Sequence, residues 1–303
     1  MSSHVGRNSA RSAGSAESIS VVIAAFHALP LLDEQLHALA GQDFDGRFEV
    51  VISDNAGESA LRTHVEGHPL RDQLALRWVD SSSVPGTSSA RNVGTRASRY
   101  PFVAYCDQDD RVHPGWLTAM ASASASYDLV GGPLEKHTLN DPVVARWRAL
   151  PEPDELQVLG RFLPITFGCN LGIWREVFDD IGGWDESYPA AGSDVEFCWR
   201  AQIKGYTLGN SPEAIVAYRF RTGMRESWRQ VVSYAEEEAR VARQYDAPGR
   251  AWYWPLVHAG VVVALLPVWP WAWSRSRRGE WVWTTGNLVG RIKGSIKYRI
   301  VYL

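Results

Sequence analysis

The chain has 303 residues, 45% hydrophobic and 21% charged, the balance of an ordinary globular protein rather than a disordered or fibrous one. Its net charge of −3 argues against a nucleic-acid binder. Three widely spaced cysteines, Cys106, Cys169 and Cys198, form no C-x-x-C pair and fit core packing in a reducing compartment, not disulfides or a zinc site.

Residues 1–18, MSSHVGRNSARSAGSAES, are Ser-rich and lack the apolar run of a signal peptide. They read as a disordered leader, with the folded part in the cytoplasm. ISVVIAAF (Ile19–Phe26) is a continuous β-branched apolar run, as in a strand buried on both faces. Leu32, Leu36 and Leu39 recur at helical spacing and Gly41 stops that helix. FEVVISDN is a second buried strand ending at Asp54, and LALRWVD a third. SSARNVGTRAS reads as a helix carrying Arg91 and Asn92, and FVAYCDQDD as a fourth strand running into Asp107, Asp109 and Asp110. Strand–helix alternation of this kind predicts a doubly wound, mostly parallel sheet, whose ligands bind at the carboxyl ends of its strands. Asp54 and the 107–110 acids stand at two such ends.

Further on, GCNLGIWREVFDDIGGWDE predicts a strand or turn and a short helix closed by Gly182-Gly183. GSDVEFCWRAQIKGY predicts a helix opening near Asp194, and Glu213–Phe220 a late strand. ESWRQVVSYAEEEARVARQY then lines Trp228, Val231, Val232, Ala235, Ala239 and Ala242 along one helical face.

Three carboxylates in four residues at a strand end suit a divalent cation carried with a diphosphate, since Mg²⁺ and Mn²⁺ take hard oxygen ligands and keep positions for phosphate and water. A lone D-x-D also fits a solvated acidic loop, Asp54 an ordinary turn, and Asp194 a helix cap. In combination the segments SVVIAAF, VVISDN, SSARNVG, YCDQDD, GCNLGIWREVFDDIGGWDE and GSDVEFCWR resemble the family 2 glycosyltransferases, in order, over about Ser20 to Arg221. The resemblance implies a Rossmann-like A-type glycosyltransferase fold: a mostly parallel central sheet with helices on both faces, here followed by a C-terminal helical extension. The expected division is a catalytic domain at 19–225 and a helical, Trp-rich, basic extension at 226–303.

The same resemblance implies inverting transfer of a sugar from a nucleotide-activated donor to an acceptor hydroxyl, with Mn²⁺ or Mg²⁺. Asp54 would meet the nucleobase, and Arg91 and Asn92 would lie against the nucleotide. Asp107 would sit near the ribose and the metal, Asp109 would be the main metal ligand, and Asp194 would be the base. Trp184 would offer a platform to the acceptor sugar. A His common in the late strand of relatives is absent here; Tyr218 stands near its place, and Arg219 and Arg221 are the candidates to neutralise the diphosphate. The donor leans towards a UDP- or dTDP-sugar, and the acceptor towards a carbohydrate or lipid-linked hydroxyl in cell-surface polysaccharide or glycolipid assembly. Two rival readings are a non-catalytic scaffold or sugar-binding module, and a nucleotidyltransferase. The second wants a Gly- and Lys/Arg-rich loop after the first strand, where AAFHALPLLDEQ has neither Gly nor Lys.

The C-terminal part carries its own signal. Seven of fourteen tryptophans fall between Trp252 and Trp283, and residues 255–273 include no formal charge. From Ser274 onward the net charge is +6. Three prolines interrupt the uncharged stretch, so an interfacial or re-entrant segment on an anionic membrane at the inner face is expected rather than a clean span.

Overall fold

The computed structural model describes residues 14–248, 260 and 274–302. Most of the expected leader, and the uncharged stretch apart from Gly260, lie outside the described residues. In chain order the first elements are β1 (Ser18–Ala25), α1 (Leu32–Ala40), β2 (Arg47–Asp54), α2 (Ser59–Glu66), β3 (Arg77–Asp80), α3 (Thr87–Ala97) and β4 (Phe102–Asp107). There follow β5 (Arg111–Val112), α4 (Trp116–Ser124), β6 (Leu129–Gly131), β7 (Leu134–Glu135), α5 (Pro142–Ala145), β8 (Gln157–Val158), β9 (Pro164–Ile165) and β10 (Asn170–Trp174). The last are α6 (Arg175–Ile181), α7 (Ser193–Ile203), β11 (Leu208–Asn210), β12 (Val216–Ala217), α8 (Met224–Gln244) and α9 (Arg275–Tyr298).

The chain divides into two compact units. One runs to Leu134 and adds Glu152–Leu156 and Pro164–Val216; the other takes Glu135–Pro151, Gln157–Leu163 and the chain from Ala217.

The first unit is built on a seven-stranded sheet in the order β11-β6-β10-β4-β1-β2-β3. Strand β1 pairs in parallel with both β2 and β4, β3 continues the parallel run, and β10 lies antiparallel between β4 and β6. The apolar runs fold as their composition requires: Ile19, Val21, Val22, Ile23, Val50, Val51 and Ile52 are all buried. Burial of each such side chain is worth ~1.5–3 kcal/mol. Glu49 interrupts the run of β2 yet is satisfied, accepting from Ser20 Oγ (2.8 Å), the Arg99 N–H (2.6 Å) and Arg77 Nη1 (2.9 Å). On one side of the sheet Val22, Val51, Val103 and Tyr105 pack with Phe178, Ile181, Trp184 and Phe197. Asp54 and Asp107 close the carboxyl ends of β2 and β4, as the parallel arrangement predicts.

In the second unit α8 and α9 run side by side in the same direction. Val231 lies against Gly286, Ala235 against Gly290 and Ala239 against Gly294. A Cβ at any of these glycines would come within 2.4–2.7 Å of its neighbour, so the absent side chains set how closely the helices approach. The buried side chains of α8 include Val231, Val232, Ala235, Ala239 and Ala242, five of the six on the expected face. Among the described residues no helix is long and apolar enough to cross a membrane.

Candidate active site

The loop after β4 is held from two sides before any ligand is considered. Gln108 exchanges hydrogen bonds with the Phe26 backbone, accepting its N–H at 2.7 Å and donating to its carbonyl at 2.9 Å. Gln35 of α1 donates to the Asp107 carbonyl (3.1 Å) and accepts the Val112 N–H (2.9 Å). The four carbonyl and N–H partners fix the backbone on which the acids stand. Neither glutamine stood out in sequence, although Gln35 shares the buried stripe of Leu32, Leu36 and Leu39, where a polar residue signals a specific partner.

Around that loop gather Asp107, Asp110, Arg91, Cys169 and Asp194. Arg91 Nη2 reaches Asp107 Oδ1 at 3.3 Å, with the guanidinium over the Trp184 ring at 4.6 Å. Asp107 keeps 35% of its side chain open to solvent, as expected at a cleft floor. Burial pushes its carboxyl above the usual range, Asp109 and Asp194 add to the push, and Arg91 opposes it. Ligand atoms of Asp107, Asp110 and Cys169 lie within 4.8 Å of one another. Asp194 stands in the first turn of α7, where the cap position belongs to Gly192. It accepts the Val195 N–H at 2.9 Å and the Gly168 N–H at 3.4 Å. The carboxylates of Asp107 and Asp110, with Asp109 in the same turn, are the kind of hard oxygen donors that fit a divalent cation.

Other predicted site residues are placed differently. Asp54 is fully buried and spends its carboxylate on four donors: the N–H groups of Ala56, Gly57 and Glu58 at 2.8–3.0 Å and the Trp78 indole at 3.2 Å. A carboxylate has about four lone-pair positions, so Asp54 shapes the loop after β2 and keeps no acceptor for a nucleobase. Asn92 is likewise spent on the chain itself. Its amide clamps the following turn, accepting from the Trp184 N–H (2.8 Å) and donating to the Trp184 carbonyl (2.9 Å) and to Glu186 (2.8 Å). Trp184 is 2% exposed, stacked on Phe197 at 4.3 Å and edge-on to Tyr105, so it offers no face to an acceptor sugar. The expected strand at 213–220 shrinks to Val216–Ala217, so the alternation that would have aimed Arg219 and Arg221 to one face is absent; both belong to the second unit. Glu196 is structural: it is buried against Arg200 at 2.7 and 2.9 Å. Asn92→Ala is expected to cost about 2–4 kcal/mol in a denaturant melt, because it strands the buried N–H and carbonyl of Trp184.

A second group, Asp33, His64 and His68, is complete without an ion. His64 Nε2 meets Asp33 Oδ1 at 2.6 Å and His68 Nε2 meets it at 3.4 Å, while His68 Nδ1 accepts the Leu70 N–H. That bond keeps the His68 proton on Nε2, where a metal would have to bind. Burial lowers the His68 pKa, against the pull of Asp33.

A mostly parallel sheet with acids closing β4, a guanidinium beside them and a carboxylate opening α7 defines the A-type glycosyltransferase fold. The chain is similar over 91% of its length to a mannosyltransferase, PcManGT from Pyrobaculum calidifontis, in complex with GDP-Man and Mn²⁺ (TM-score 0.57, 18% identity, 86% of that chain covered). It is also similar to S. aureus TarS in complex with UDP-GlcNAc (TM-score 0.53, 15% identity, 93% and 92% of the two chains). The profile described as "Glycosyl transferase family 2" matches residues 20–182, and "Glycosyl transferase family group 2" matches residues 102–290. The chain belongs to glycosyl transferase family 2. It is 30% identical over 165 residues to the pre-mycofactocin glycosyltransferase of Mycobacterium tuberculosis, covering 52% of this chain but 35% of that protein. The succinoglycan biosynthesis protein ExoM of Rhizobium meliloti is 27% identical over 195 residues, 62% of each.

Proposed function

We propose that this glycosyltransferase moves a sugar from a nucleotide-activated donor to an acceptor hydroxyl with inversion, in surface-polysaccharide or glycolipid assembly. The observation that carries the reading is the placing of Asp194 beside the Asp107–Arg91 pair: Gly168 gives its N–H to Asp194 and packs against the Arg91 guanidinium that reaches Asp107. The nucleotide sugars named with PcManGT and TarS, and the role named for ExoM, support the donor and acceptor classes.

In this reading Asp107 and Asp109 hold the cation, Mn²⁺ or Mg²⁺, and Asp110 braces the turn from inside. The bound cation supplies positive charge to the departing diphosphate. Arg91, which reaches Asp107 at 3.3 Å, joins Arg219 and Arg221 as a candidate to neutralise the charge of the diphosphate. Asp54 holds the loop against which the nucleobase rests. Asp194 accepts the proton of the acceptor hydroxyl as its oxygen bonds to the anomeric carbon and the nucleoside diphosphate leaves from the opposite face. One displacement inverts that carbon. The test is nucleotide release across UDP-, dTDP- and GDP-sugars with and without Mn²⁺. Release that depends on donor, acceptor and metal is expected; none with any donor would favour a non-catalytic module.

The second unit is proposed to rest on an anionic membrane at the inner face. Helix α9 exposes Arg275, Arg277 and Arg278 at its start, and Ile296 and Val301 stand 74% and 81% exposed near its end. Such a mix of basic and apolar side chains suits a headgroup layer. The full chain is expected to float with anionic vesicles at low salt and not with neutral ones, and Arg277→Glu with Arg278→Glu to weaken flotation. A chain that ignores anionic vesicles at low salt defeats the proposal.

A further inference from the structure

The cation reading above names oxygen ligands alone, but the structure sets a sulfur beside them. Ligand atoms of Asp107, Asp110 and Cys169 lie within 4.8 Å of one another, with Asp110 and Cys169 buried. The sheet dictates this meeting. Strand β10 runs antiparallel to β4 with Asn170 opposite Cys106, and continuing that register by one residue brings Cys169 to Asp107. Both neighbours of Cys169 are fixed. Asn170 donates to the Pro133 and Ala214 carbonyls at 3.0 and 2.8 Å and accepts from the Trp116 indole at 2.8 Å. Gly168 gives its N–H to Asp194, and a Cβ there would sit 2.4 Å from Arg91 Nη1. The thiol is therefore held beside Asp107 and Asp110. Burial, and then the charges of Asp107 and Asp110, push the thiol well above its ordinary range, so it is no nucleophile at neutral pH.

We propose that Cys169 contributes its sulfur to the cation held at Asp107 and thereby sets which divalent ion the site takes, favouring Mn²⁺ and softer ions over Mg²⁺. The inference rests on the cation reading above. Mg²⁺ demands an octahedron of oxygen and dehydrates reluctantly, whereas thiolate donors select softer metals. As the metal–sulfur bond forms, the thiol proton passes to solvent. The other two cysteines serve as controls. Cys106 is buried inside β4, and the Cys198 thiol points to the Thr166 carbonyl at 3.9 Å.

The experiment titrates the full chain with Cd²⁺ alone and follows the ultraviolet thiolate-to-cadmium absorption band. In parallel, competition of Mg²⁺ against Mn²⁺ is read by electron paramagnetic resonance with a nucleoside diphosphate present. Wild type and Cys106→Ala are expected to show the band at one equivalent. Cys169→Ser and Cys169→Ala, checked for native circular dichroism, should lose it, and their preference for Mn²⁺ over Mg²⁺ should narrow roughly tenfold. A band that survives in both Cys169 variants, or a wild type that binds Mn²⁺ without giving a band, overturns the sulfur ligand and leaves the oxygen site standing. A wild type that binds neither ion overturns the cation reading together with it.

Discussion

Asp194→Asn is expected to lower kcat by roughly two to four orders of magnitude while leaving nucleotide affinity and the thermal midpoint near wild type. The amide keeps the size of the carboxylate and can still accept one of the two N–H groups, Val195 or Gly168, that hold Asp194 at the start of α7. What it loses is the lone pair that takes the acceptor proton, an interaction made as the hydroxyl attacks and therefore read in kcat rather than in donor binding. Asp194→Ala makes the comparison sharper, since it also removes both backbone bonds and frees Gly168, which borders Arg91. The alanine variant should lose donor affinity in addition to turnover. Equal losses of donor affinity in both variants would mean that Asp194 anchors the 168 turn and that another group accepts the proton.

Legibility in the sequence followed the range of the interactions. Strands β1, β2 and β4 were readable because a strand buried on both faces needs an unbroken apolar run, a local property. The same holds for α8, whose stripe recurs every three or four residues. Site residues were harder, because a motif places a Cα at a strand end or on a helix and leaves open what the side chain meets. Arg91 and Asn92 are neighbours in α3, so about 100° of helical turn separates them. Arg91 sends its guanidinium to Asp107 and over the Trp184 ring, while Asn92 spends its amide on the Trp184 backbone and Glu186. Trp184 follows Gly182 and Gly183, both with positive φ, and is folded inward on Tyr105 and Phe197. Asp54 was read correctly as a strand-end residue, but its four donors come from the turn and from β3, a turn chemistry that the three letters S-D-N do not specify. Gln35 and Gln108 went unseen, and Cys169 was legible only as core packing, because each depends on partners far away in the chain. Periodicity and local motifs are silent at that distance.

Asp109→Ala is expected to abolish metal-stimulated nucleotide binding with no loss of fold, and the comparison with Asp110→Asn decides which pair of acids holds the ion. The D-x-D spacing points to Asp107 and Asp109, whereas the ligand atoms of Asp107, Asp110 and Cys169 lie within 4.8 Å of one another. Burial separates the two candidates. Asp109 is half-buried in the turn, so its removal leaves the core intact, while Asp110 is 1% exposed and its replacement disturbs packed surroundings. Asp110→Asn keeps the volume and removes the charge, so its melt should fall by about 1–3 kcal/mol and some Mn²⁺-dependent nucleotide binding should remain. Asp109→Ala should melt as wild type and show the same weak nucleotide affinity with Mn²⁺ as with chelator, measured by calorimetry. Asp107→Asn should lose the metal effect under either assignment, since it is common to both. If Asp109→Ala instead keeps its Mn²⁺ response and Asp110→Asn loses it, the ion sits deeper, between Asp107 and Asp110. The loop clamps of Gln35 and Gln108 would then be holding the ligands themselves rather than the turn that presents Asp109 to the diphosphate.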